Sequence, residues 1–210
     1  MKQPYTLNPW FTLWTKPRAS MRAILDADPK RMVVLLAALG GIGRALDMAS
    51  LWDLGEWFSV PAILVTSLCA GSAMGIVMLY ISGLLLSWTG TWLKGRATPV
   101  DARSAVAWST VPEIWALLLW IPELVLFGAD LFVSDMSDLF GRPALLIVYL
   151  LFIVIELIIV VWAIIMYLKC LAEAQRFSVW RALANALIVF CILTVPVGFA
   201  IRTFFGYAGL

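Results

Sequence analysis

The sequence contains no histidine. That removes the side chain that most often acts as a general base near neutral pH, the Ser-His-Asp and Cys-His nucleophile systems, and the commonest metal ligand. Cysteine is scarce and odd in number. Cys69, Cys170 and Cys191 form no Cys-x-x-Cys pair, and each lies in or beside an apolar run. They read as small buried hydrophobes, which argues against structural zinc and redox chemistry. Charge is the third shortage: Asp, Glu, Lys and Arg make up 13% of the chain, where a soluble domain has about a quarter. A net charge of +2 is too small to suggest nucleic acid. No glycine-rich nucleotide loop is present either. The chain therefore reads as non-enzymatic, with no cofactor and no metal site.

Apolar sequence takes up the room. Hydrophobic residues are 63% of the chain and the mean hydropathy is +0.96. A membrane helix needs about 20 mostly apolar residues, and five stretches qualify: 32–49, 60–88, 104–127, 143–168 and 182–205. The second is long but has no charge or polar turn, so it reads as one tilted or interface-extended helix. The expected fold is all-α, a polytopic bundle of five transmembrane helices. Residues 32–210 form this single domain and residues 1–31 a polar arm before it. The arm is not a short basic n-region, so no cleavable signal peptide is expected.

Twelve of the fifteen lysines and arginines fall on one side of this arrangement, from Lys2 to Arg31 in the arm, then Lys94, Arg96 and Arg103, then Lys169, Arg176 and Arg181. Arg44, Arg142 and Arg202 fall on the other. The bias places the N-terminus in the cytoplasm and the C-terminus outside. Tryptophan repeats the pattern, with Trp10, Trp14, Trp88, Trp92, Trp108 and Trp180 near the inner interface and Trp52, Trp57 and Trp120 near the outer one. In the arm, Arg18 and Arg22 share one helical face and Met21, Ile24 and Leu25 another, which suits a short helix lying on the anionic inner leaflet. Thr98-Pro99-Val100-Asp101 is a variant capping box, and Ser178 a plausible cap for the fifth span. The outer loops carry Asp47, Asp53, Glu56, Asp130, Asp135 and Asp138, spaced like no calcium loop.

Small residues recur every four positions. Ala37, Gly41 and Ala45 do so in the first span; Ser67, Gly71 and Gly75 in the second, with Gly83 and Ser87 further along the same face. Such stripes let helices approach closely, either to close the bundle or to pair two copies. Charge inside the spans is rarer. Glu113, Glu123 and Glu156 are intramembrane acids, and an acid at that depth is a functional candidate. Pro112, Pro122 and Pro196 can free backbone carbonyls beside them. Glu113 lies about 15 Å past Arg103, and Glu156 sits midway along its span, so the two are expected at one depth, facing each other with at least one protonated. Counted from Arg31, Arg44 lies about 20 Å along the first span. There it pairs with Asp47 one turn on, and with Glu123 at similar depth.

The order of several short motifs resembles the Yip family, the Ypt/Rab-interacting membrane proteins, in its bacterial branch. They are Asn8-Pro9-Trp10 with Trp14, Pro17-Arg18-Ala19, Asp28-Pro29, Gly40-Gly41-Ile42-Gly43, Trp88-Thr89-Gly90-Thr91-Trp92-Leu93, Ala107-Trp108-Ser109 with Pro112, and Phe177-Ser178-Val179-Trp180-Arg181-Ala182. The resemblance implies five membrane helices, a cytoplasmic N-terminus and a bacterial inner membrane. Eukaryotic members are linked to Rab GTPases. This chain lacks their long N-terminal region, and no Rab partner is expected in a bacterium. Two functions remain open. One is a scaffold that organises the membrane, with the bilayer, a second copy or an unidentified membrane protein as partner. The other is a small transporter or permeation pathway for a proton, ion or lipid, using the intramembrane glutamates.

Overall fold

A computed structural model describes residues 8–134 and 141–207, with side chains to residue 196. Lys2, Asp135, Asp138 and the Arg202 side chain lie outside the described residues. Among those described there is no strand, and five helices are long and apolar enough to cross a membrane. Two short helices precede them, α1 (Pro9–Thr15) and α2 (Pro17–Ala27). The spans are α3 (Val33–Leu51), α4 (Val60–Trp92), a third made of α5 (Pro99–Ser109), α6 (Val111–Ala116) and α7 (Trp120–Leu126), then α8 (Pro143–Gln175) and α9 (Val179–Tyr207). This is a multi-pass membrane protein.

The first two spans cross where their small residues meet. A Cβ added to Gly41 would lie 2.8 Å from the Cα of Gly75, and one on Gly71 would lie 2.7 Å from the Cβ of Ala45. Hydrogen is all that fits there, so the backbones touch. Dispersion between closely packed helices is the main attraction available in lipid. One π-helical turn, Ser67–Gly71, interrupts α4 at this crossing. The stripe therefore closes the bundle itself. Gly83 sits instead against the Arg103 side chain, whose guanidinium lies 4.6 Å from the centre of the Tyr80 ring.

The third span is broken where proline dictates. Proline has no N–H and frees the carbonyl four residues before it. Pro112 follows the break at Thr110, and Pro122 follows the turn at residues 117–119. At the start of this span the capping box forms in full: Thr98 accepts from the Asp101 N–H and the Asp101 carboxylate from the Thr98 N–H. Ser178 likewise accepts from the Arg181 N–H at 3.4 Å.

At the basic end, α2 does not lie on a leaflet with its apolar face in lipid. Met21 and Ile24 are fully buried with Leu13, Leu36, Trp108 and Met166. Arg22 clamps α2 to the end of α8 through two hydrogen bonds to Glu173 Oε1, at 2.8 and 2.5 Å. Trp108 is 2% exposed, so it belongs to this core rather than to the interface, with the Trp10 ring edge-on at 6.2 Å. At the far end, Trp120 stacks on Phe132 at 5.7 Å, and Ser50 donates to the Leu131 carbonyl. Only Cys170 among the cysteines is buried. Cys69 and Cys191 face outward from apolar helices, where lipid accepts a thiol as readily as a core does.

Candidate functional site

Spans one and four do not pack closely on each other; both lean on the broken third span. A cavity of about 430 Å³ lies between them. Five charged residues of the spans converge on it. Span one contributes Arg44 and Asp47, the third span Glu113 and Glu123, and α8 Glu156. Four acids thus surround one cation in a region that lipid would otherwise occupy.

Each carboxylate has its own neighbour. Arg44 donates from Nη2 to Glu113 Oε2 at 3.2 Å, with 53% and 37% of the two side chains exposed. Asp47 and Trp120 line the cavity together. Glu123 is 4% exposed, and its carboxyl group meets that of Glu156 within hydrogen-bonding reach. Tyr149 lines the same end of the cavity.

The partners are exchanged relative to the sequence expectation. Glu113 faces Arg44 rather than Glu156, and Glu156 faces Glu123. The ion pair of Arg44 is made to Glu113, not to Asp47 or Glu123. Both differences are matters of depth. The turns at residues 29–32 delay the first helix to Val33, so Arg44 lies about 16 Å along it, close to the depth of Glu113. The α8 helix has 33 residues and is about 50 Å long, well beyond a hydrocarbon core of about 30 Å. Its close at Gln175, rather than Lys169, lies level with Ala97 at the start of the third span, so Glu156 stands 19 residues, about 28 Å, above that level. Glu156 is thereby lifted towards Glu123.

A second polar cluster escaped the sequence reading. Gln175 is fully buried; its amide donates to the Leu86 carbonyl at 2.8 Å and accepts from the Ala97 N–H at 3.1 Å. Asn185 donates to the same carbonyl and accepts from Thr89 Oγ1 at 2.6 Å. Gly90 and Gly95 leave the space that the Gln175 amide fills. A polar amide inside the otherwise apolar fifth span was the available signal. This cluster ties spans two, four and five and satisfies buried backbone groups, which is a structural task. Among the described residues no group of three or more His, Cys, Asp or Glu side chains is arranged to hold a metal.

The family model described as the Yip1 domain matches residues 11–201. No curated protein and no solved structure matches the chain.

Proposed function

The chain belongs to the Yip1 domain family, and from that premise we propose that it is a non-enzymatic protein of the bacterial inner membrane, with its N-terminus in the cytoplasm, whose charged cavity forms a permeation pathway for a small polar group. The observation that carries this reading is the convergence of four acids from three spans on one cavity, with a single Arg among them. Ionisable groups within spans are costly and collect where a substrate or proton passes. Two carboxyl groups brought to one cavity, those of Glu123 and Glu156, can share a proton, which is the feature a proton pathway would use.

Reconstitution of the full chain in liposomes, read by proton flux, ion flux and lipid scrambling, tests the proposal. Movement that Glu156→Gln abolishes supports it. Liposomes silent in all three assays, with correctly folded protein, count against it.

A scaffold is the second reading. It is favoured by the docked helices α1 and α2, which give the basic end a folded surface bearing exposed Phe11. Specific crosslinking of this surface to a membrane partner, beside silent liposomes, would favour it over permeation.

A further inference from the structure

The rim of the charged cavity includes exposed apolar side chains. Leu51, Ile153 and Val160 line the cavity and are 75%, 41% and 50% exposed. For helices surrounded by bilayer, the medium at that rim is acyl chain rather than water. An apolar rim around a charged interior suits an amphiphile, with its head inside and its tail left in the lipid. The volume of about 430 Å³ is within the range of small-molecule sites, about 300–1,000 Å³.

The interior has two ends of opposite character. Arg44 makes one 3.2 Å contact with Glu113 and leaves 53% of its side chain exposed. A guanidinium presented this way matches a phosphate. Asp47 lies one helical turn further, about 4.5 Å along the axis, and the Glu123–Glu156 pair lines the same cavity. A purely anionic head would meet these acids without compensation. A purely cationic one would leave the exposed part of Arg44 without an anionic partner. A zwitterion satisfies both ends. A primary ammonium also supplies three N–H donors to carboxyl oxygens, which a quaternary ammonium lacks.

Resting on the permeation reading above, we propose that the group this cavity takes is the headgroup of an aminophospholipid, entering between spans one and four, its phosphate on Arg44 and its primary ammonium on Asp47 and the Glu123–Glu156 pair. The lipid tail stays between Leu51, Ile153 and Val160.

The test is competitive retention of lipids by the purified full chain in detergent, read by native mass spectrometry. The probes are phosphatidylethanolamine, phosphatidylglycerol, phosphatidylcholine and soluble O-phosphoethanolamine. The expected result is retention of phosphatidylethanolamine about tenfold over the other two lipids, a difference of about 1.4 kcal/mol. Arg44→Gln and Asp47→Asn should each remove that preference, and Arg181→Gln, outside the cavity, should keep it. Equal retention of phosphatidylglycerol or phosphatidylcholine overturns the assignment on the unaltered chain alone, whether or not a variant folds. Equally tight binding of O-phosphoethanolamine overturns the lateral, lipid-borne route. Retention as expected, with no movement of any probe in liposomes, would leave this site standing and remove the permeation reading it rests on.

Discussion

Gly75 and Gly43 stand on facing helices, yet they differ in what a methyl group would meet. At Gly75 a Cβ would lie 2.8 Å from the Gly41 Cα, and backbone cannot move aside. At Gly43 the nearest atom is the Leu117 Cδ2, 3.4 Å away at the tip of a flexible side chain. Gly75→Ala is therefore expected to destabilise the protein by about 1–3 kcal/mol, the range for overpacking a closed interface. Gly43→Ala should change stability by less than about 0.5 kcal/mol, the usual range away from such contacts. Thermal unfolding of both variants in one detergent checks the difference. The four-residue spacing of small residues made this contact legible in the sequence. Which partner each glycine meets was not legible, because spacing along one helix does not say how another crosses it.

At the scale of elements, one amide holds three helix ends together. Gln175 at the close of α8 bonds to the Leu86 carbonyl of α4 and to the Ala97 N–H before the third span. Gln175→Leu keeps the volume and removes both bonds, leaving the partly buried Ala97 N–H without that partner. The expected cost is about 1–3 kcal/mol. Hydrogen exchange at the Ala97 amide should speed up, while the far-end residues Trp120 and Phe132 remain protected. Equal loosening at both ends would contradict this local role. The spans themselves were readable from hydropathy, because a stretch in lipid must be apolar over its whole length. The breaks in the third span were readable only as prolines. The acid partners were misplaced because depth was counted from charged flanks, whereas the close of α8 at Gln175, not Lys169, is level with the start of the third span.

For the whole molecule, the distribution of basic residues gives a direct expectation. Thr98 and Ser134 lie at opposite ends of the third span and its following turn. In a background with all three native cysteines replaced, a cysteine at 98 should be labelled by an impermeant maleimide only after the cytoplasmic side is opened. One at 134 should be labelled in intact spheroplasts. Labelling of both from the same side would rule out the proposed orientation. The same experiment reports on α2, since a buried Met21 or Ile24 replaced by cysteine should resist labelling from either side until the Arg22–Glu173 clamp is broken.

The π-helical turn in α4 has a consequence of another kind. A π turn accommodates one residue more than an α turn does, and one residue corresponds to about 100° of helix rotation. Everything from Ser72 onward is aimed by that surplus. Leu79, Gly83, Leu86 and Gly90 are buried on the face it selects. Loss of a single codon between positions 68 and 70 would preserve nearly every amino acid and keep the span long enough to cross the bilayer. It would also turn the lower half of the helix by more than a quarter of a circle, carrying Gly83 away from Arg103 and Gly90 away from Gln175. Here the gene behaves as if it had a second reading frame, one kept in space rather than in nucleotides.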